Sequence, residues 1–355
     1  MRTYITSGIS IMAFSASVAN AGGFESSPLS TSFLYEEGGY MEVAHGQRKY
    51  DIKGSKYAPT GSAVKDQSTT SLSIKYDLSE QLAVGFSSYR QGSIQLDYSG
   101  AGSVIAAGLP VVDLSIDARV LLGKYKFGEN YSVMAGVKQT VIKDATANIF
   151  QSVGRGPSSI SGGSEVGGVF GIAYERPEIA LRVELIKEQA TDFELDTTNG
   201  GTLLAQKTKG SVPDYTTLNF QSGIATDTLL YGSVRKANWG ANQLYVAPYA
   251  TATSSFKDST TYSLGIGRKF SEKWSGSVTY STEKKGSKDS TSPLTITNGY
   301  QSVTVGAKYT KDNMSVSFGY NYTKVGDVDL NSALGIGNFV DNKVTGMGIK
   351  IGYSF

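Results

Sequence analysis

Along 347–355 every second residue is large and apolar (Met347, Ile349, Ile351, Tyr353, Phe355), and Gly348, Lys350, Gly352 and Ser354 stand between them. A strict period of two marks a strand with two unlike faces. The alternation recurs upstream. Its apolar positions begin with Met41 and Val43, then Leu72, Ile74 and Tyr76, then Leu82, Val84 and Phe86, then Ile116, Ala118, Val120 and Leu122. They continue through Val133, Ala135 and Val137; Phe170, Ile172 and Tyr174; Ile179, Leu181, Val183 and Leu185; Leu218, Phe220 and Ile224. The last are Leu230 and Val234; Tyr262, Leu264 and Ile266; Trp274, Val278 and Tyr280; Val303, Val305 and Tyr309; Val316, Phe318, Tyr320 and Tyr322. Runs of this length predict about fourteen strands.

The connections alternate between two lengths. Tight turns fall at 78–80, 128–130, 176–177, 226–227, 271–273 and 311–313. Between them lie long Gly/Ser/Thr/Asp-rich links near 52–67, 99–112, 151–163, 190–214, 239–259, 284–298 and 325–341. A soluble sandwich or propeller has no reason to hold this alternation in phase, whereas a membrane barrel has short periplasmic turns and long external loops. The predicted fold class is therefore all-β, a transmembrane antiparallel β-barrel of about 14 strands. The large apolar residues are expected to face lipid.

Composition agrees. The chain has 355 residues with 42 Gly, 22 Tyr and 14 Phe but only 2 Trp, which suits many strands and Tyr girdles. With 0 Cys, stability has to come from packing or a closed sheet. A formal charge of +2 is too small to argue for nucleic acid. Residues 1–21 read as a secretory signal ending at Ala19-Asn20-Ala21, and no later run is long and apolar enough for a membrane helix. Residues 22–38 lack sustained alternation and would be either a periplasmic tail or a plug. Phe24, Leu29, Phe33 and Leu34 favour the plug, because burial of each contributes roughly 1.5–3 kcal/mol. Residues 39–355 form the barrel in this reading, placed in the bacterial outer membrane.

Charged residues between the lipid-facing positions should point into the lumen, since a charge at the bilayer midplane costs a few kcal/mol. They are Asp117, Arg119, Lys138, Arg182, Glu184, Arg235, Lys308 and Lys350, either paired to brace the lumen or placed to hold a ligand. The chain has 1 His, His45, which shares parity with Met41 and Val43 and would sit away from any lumenal serine. A Ser-His-carboxylate site needs the imidazole beside its nucleophile, so the chain is not read as an enzyme. Lack of Cys and the single His argue against a transition-metal site, and no cofactor is expected.

Gly23-Phe24, the entry Leu34-Tyr35-Glu36-Glu37-Gly38-Gly39-Tyr40, the stretch Thr228-Leu229-Leu230-Tyr231-Gly232-Ser233-Val234-Arg235 with Trp239 after it, and the closing Gly-Tyr-Ser-Phe give the chain its resemblance. It resembles the FadL/TodX family of outer-membrane transporters for long-chain fatty acids and other hydrophobic compounds. That resemblance implies a monomeric barrel of fourteen strands, an N-terminal plug, capture of hydrophobic ligands by external loops and passive movement. The rival readings are a structural or adhesive surface barrel and a general porin. The uncharged run 103–112, with Val104, Ile105, Leu109 and Val111, would either roof the barrel or collect ligand. In the third strand, over 80–98, the lipid-facing parity passes through Ser88, Arg90 and Gly92 before Ile94, Leu96 and Tyr98 restore the apolar pattern without a register shift. Either Arg90 already stands among the outer head groups, with Ile94 to Tyr98 packing on loops above, or the strand is bent or interrupted there and opens a lateral exit, as the resemblance implies.

Overall fold

The computed structural model describes residues 23–54, 60–98, 110–148, 157–199, 206–248, 251–330 and 337–355. The expected signal at 1–21 and the loop residues Val104, Ile105 and Leu109 lie outside them. Fourteen antiparallel strands form one closed wall. They are β1 Tyr40–Asp51, β2 Gln67–Asp77, β3 Leu82–Asp97, β4 Val111–Phe127, β5 Tyr131–Ile142, β6 Gly163–Arg176 and β7 Leu181–Glu188. The others are β8 Tyr215–Ala225, β9 Thr228–Ala237, β10 Ser259–Lys269, β11 Trp274–Glu283, β12 Tyr300–Lys311, β13 Met314–Val325 and β14 Lys343–Ser354. Each strand pairs with the next. The barrel closes where β14 pairs with β1 in continuous register from Tyr40↔Ser354 to Asp51↔Lys343, which removes the free sheet edge. Gly39 N–H donates to the Phe355 carbonyl at 3.0 Å and Phe355 N–H to the Gly39 carbonyl at 2.8 Å, so both ends of the wall meet on one side.

On that side the connections are tight turns. Several need the left-handed region, reached by Gly128 (φ 61°), Asp227 (φ 56°) and Asp312 (φ 51°), residue types that tolerate it. On the other side the long links carry strands of their own. Ala145–Asn148 pairs with the end of β4 and with Ser158–Ile160. Ser158–Ile160 pairs in turn with Thr191–Asn199, and Thr191–Asn199 with Gln206–Val212. Loop residues Ile52, Val64, Tyr98, Trp239, Leu244, Phe256, Leu294 and Phe339 share one buried apolar cluster with the inward faces of the upper strands. The loops are thus packed onto the barrel rather than spread into solvent.

The outer face carries an exposed apolar belt that includes Met41, Val43, Ile74, Val133, Phe170, Leu185, Leu264, Val278, Val305, Phe318, Ile349 and Phe355. Most strands follow the expected parity, and two do not. In β4, Ile116, Ala118, Val120 and Leu122 are buried and point inward, while Leu121, Tyr125 and Phe127 are exposed. Asp117 and Arg119 therefore lie on the outer parity and Arg119 is exposed, not lumenal as expected. The cause is what the inside holds there: Ala118, Val120 and Leu122 pack with Leu29, Phe33 and Leu34 of the N-terminal segment. In β3 the register shifts between Arg90 and Gly92. This bulge turns Ile94, Leu96 and Tyr98 inward, where they are buried, so they do not resume a lipid-facing row.

Candidate functional site

A cavity of about 840 Å³ opens inside the barrel near the tight-turn end, lined by Glu42, Lys350, Asn219, Asn321 and Arg182 among many Ser and Thr. Period-two sequence builds this lining. Of the inward positions in β10–β14, Ser263, Gly319, Asn321 and Gly346 line it, small or polar groups that leave room for water, while Thr279, Ser302, Thr304 and Ser317 are buried. Lys350 pairs with Glu42 at 2.9 Å across the β1–β14 seam.

The N-terminal segment bounds the cavity. Phe24, Leu29, Phe33 and Leu34 are all buried, with relative exposures of 4%, 5%, 1% and 1%. The short 3-10 turn Ser32–Tyr35 seats Phe33 and Leu34 over Gly85 of β3, where a β-carbon would collide with both. Tyr35 lies between two cations, with Lys124 Nζ 3.8 Å and the Arg182 guanidinium 4.0 Å from its ring centroid, a favourable use of the ring face. Its hydroxyl donates to Glu184 at 2.7 Å. Burial, reinforced by the Glu184 charge, raises the Tyr35 phenol well above its usual range, so it stays a protonated donor. Glu184 also accepts from Thr31 Oγ1 at 2.9 and 2.8 Å and from Asn219 Nδ2 at 2.8 Å. Further on, Lys75 Nζ donates to the carbonyls of Glu36 and Gly38 at 2.7 and 2.8 Å.

A second set of charges holds the start of the segment. Arg235 Nη2 donates to Glu25 Oε1 at 2.5 Å and Nη1 to Glu188 Oε1 at 2.9 Å, while Lys138 Nζ donates to Glu188 Oε2 at 2.9 Å. All four groups are buried. Two positive and two negative charges cancel locally, which is how charges survive out of water. Of the predicted lumen charges, Lys138, Arg182, Glu184 and Arg235 are thus brought together around the segment, and Arg119 is not. Glu25 and Glu188 were not singled out in the sequence. Glu188 was findable, because it continues the inward parity of Glu184 and Ile186. Glu25 was not, because its segment has no period. The two stretches of the resemblance also meet here: the Phe24 and Trp239 ring centroids are 4.6 Å apart in an edge-to-face arrangement.

The wall is interrupted at one place among the described residues. The β2–β3 ladder runs from Asp77↔Ala83 to Leu72↔Ser88 and ends there, although β2 follows β1 as far as Gln67↔Arg48 and β3 follows β4 to Asp97↔Val111. Residues 68–71 and 89–92 face each other without a ladder. The bulge redirects the backbone of β3 toward the N-terminal segment: Ser26 N–H donates to the Gln91 carbonyl at 2.7 Å and Ser93 N–H to the Phe24 carbonyl at 2.9 Å. Gly92 permits this approach, since a β-carbon there would press on Phe24. Above, the gap is closed by Ser93 Oγ donating to Gln67 Oε1 at 3.0 Å and by backbone bonds, Lys65 N–H to the Gln95 carbonyl at 3.1 Å and Asp97 N–H to the Ala63 carbonyl at 2.9 Å. Arg90 is held to the outside of β4 by Asp117 at 2.5 Å and Ser115 at 2.6 Å. The cavity lining includes Ser87 and Tyr89 from the inner parity and, beside the break, Thr70 and Arg90. Ser88, Arg90 and Gly92 therefore flank the interruption. Val111, from the expected capture run, opens β4 and is half-buried.

A closed single-chain β-barrel with an exposed apolar belt is an integral outer-membrane architecture. No family model and no curated protein matches the chain by sequence. Its fold is nevertheless that of the FadL and TodX channels. A Pseudomonas aeruginosa FadL homologue superposes with a TM-score of 0.74 at 12% identity, over 91% of this chain and 92% of that one. The Pseudomonas putida toluene transporter TodX gives 0.66 at 13%, over 94% and 96%. The Ralstonia pickettii toluene transporter TbuX gives 0.61 at 12%, over 90% and 89%.

Proposed function

We propose that this protein is a passive outer-membrane channel for hydrophobic small molecules, of the fatty-acid or aromatic-hydrocarbon type. In this reading apolar external loops capture the ligand, residues 23–38 plug the barrel, and the cargo leaves sideways between β2 and β3. The observation that carries it is the ended β2–β3 ladder with the cavity lined by residues on both sides of it. A general porin needs a through-going polar pore and gains nothing from a hole in its wall. An adhesive barrel would need neither the hole nor the cavity. An apolar solute that leaves into lipid avoids crossing water, so a side exit lowers its barrier. The loop cluster of Tyr98, Phe256, Leu294 and Phe339 supports capture at the external end, and the known FadL and toluene-transporter folds support the class of cargo.

The test is to close the gap. The chain has no cysteine, so paired Thr70→Cys and Arg90→Cys substitutions can be linked by a disulfide or a short bis-maleimide without competition. Uptake of a radiolabelled long-chain carboxylic acid or toluene by cells expressing the linked protein should fall to the level of cells lacking it. For the disulfide it should recover on reduction. Undiminished uptake with the link verified by mass spectrometry would reject the side exit.

A further inference from the structure

Four buried donors, on β3, at the start of β8 and in the link after β9, have no protein acceptor: Tyr89 Oη, Gln91 Nε2, Tyr215 Oη and Trp239 Nε1. Their residues are 6%, 2%, 1% and 0% exposed, and buried polar groups are otherwise almost always paired. They are packed around the start of the N-terminal segment. Trp239 meets Phe24, the Tyr215 and Trp239 rings are 6.3 Å apart, and the Arg235 guanidinium lies 4.0 Å from the Tyr215 ring. Gln91 hands its carbonyl to Ser26, and Tyr89 and Tyr215 both feel the charges of Glu25, Glu188 and Arg235. The acceptors at this level are already engaged. Glu188 is taken by Lys138 and Arg235, and Arg235 bonds to both carboxylate oxygens of Glu25. This neighbourhood is therefore rich in donors and short of acceptors.

We infer that this level of the barrel is a selectivity site for hydrophobic molecules that carry an oxygen acceptor, such as a carboxylate, ester or ketone, over bare hydrocarbons of the same size. The inference rests on the channel reading above. A hydrocarbon passing here leaves each donor unpaired, whereas an acceptor on the ligand satisfies one or more of them. Sites built to hydrogen-bond a polar group reject the analogue that lacks it far more strongly than sites that only sense size. The location suits the task, because Tyr89 also lines the large cavity, and Phe24 lines a second pocket of about 50 Å³ bounded by Val64, Ile94, Leu96, Phe256 and Leu294.

The chain has 2 Trp, so Trp274→Phe on the outer face leaves Trp239 as the only indole reporter. In nanodiscs, this variant is titrated with dodecanoate, methyl dodecanoate and dodecane. Dodecanoate and its uncharged ester should each change Trp239 emission at concentrations at least tenfold lower than dodecane. Tyr89→Phe and Tyr215→Phe, which keep ring and volume, should each reduce that preference about fivefold to tenfold while retaining the heat-modifiable gel shift of a folded barrel. Equal binding of ester and alkane would overturn the inference, as would Tyr→Phe variants with unchanged preference, since the donors would then serve water alone. If dodecane is bound and taken up as well as dodecanoate, the selectivity fails and the channel reading stands. If none of the three is bound or taken up, both fail.

Discussion

Strands β10–β14 and strands β3–β6 belong to one wall, but they treat their inner faces in opposite ways. In β10–β14 the inward residues are mostly Ser, Thr, Asn and Gly, of which Ser263, Gly319, Asn321 and Gly346 face the cavity, and the outer ones, Leu264, Val278, Val305, Phe318 and Ile349, are exposed to the membrane. In β3–β6 the inner face includes Ala118, Val120, Leu122, Met134 and Val169, all buried against Leu29, Phe33 and Leu34, while Asp117 and Arg119 stand on the outside. The difference teaches that strand alternation specifies two faces without saying which is which. Lipid demands apolar groups outside everywhere, but the inside is polar only where it holds water. Where it holds a folded-in segment it becomes a core, and the charges appear outside, high on the strand, where head groups solvate them.

The sharpest way to break the arrangement is at the ions that tether the segment. Arg235→Ala leaves Glu25 and the second oxygen of Glu188 buried without their cation, and loss of one partner from a buried pair typically costs about 3–5 kcal/mol. The expected result is a lower temperature for the heat-modifiable gel shift. Residues 23–35 should also become open to protease from the periplasmic side, and single-channel conductance should rise. Normal conductance and a protected N-terminus would show that packing of Phe24, Phe33 and Leu34 alone holds the segment.

Arginine substitution tests the water-filled arc at lower cost. Val278→Arg on the lipid face should destabilise the barrel by about 2–4 kcal/mol, read from denaturant unfolding in lipid. Ser263→Arg, inward on the adjacent strand β10 where it lines the cavity, should cost less than about 1 kcal/mol and instead alter ion selectivity. Equal penalties at the two positions would mean that the inner face of β10 is packed rather than wet.

The smallest effect separates the two arcs by charge. Arg119→Gln on the outside of β4 should leave ion selectivity unchanged and shift stability by less than about 0.5 kcal/mol. Lys350→Gln, which removes a cation from the cavity lining and frees Glu42, should move the reversal potential in a salt gradient toward cation preference. A selectivity change in the Arg119 variant would return that residue to the lumen.

The barrel itself was legible because its signals are local. The alternation in 347–355, the Asp-containing tight turns at 226–227 and 311–313, and the in-phase contrast of short and long connections each follow from the geometry of strands in lipid. The same reasoning singled out Ser88, Arg90 and Gly92 but left two accounts of them open, an interruption or a position among the outer head groups. Its error was the unshifted register given to Ile94, Leu96 and Tyr98. A bulge changes parity with no mark in composition, so an apolar row that has turned inward looks like one that continues. Arg119 was misplaced for a related reason, since β4 is apolar on both parities near Val120 and Leu121.

The sequence by itself determined that the chain forms strands of membrane-spanning length, joined alternately by short and long connections, because period and turn chemistry act over a few residues. Tertiary structure alone decided which face of β3 and β4 looks inward, that Glu25 meets Arg235 across 210 positions of sequence, and that the β2–β3 ladder ends at Ser88. Those outcomes depend on where an aperiodic N-terminal segment comes to rest, and that is set by the combined burial of Phe24, Leu29, Phe33 and Leu34 against a wall that exists only once the barrel has closed.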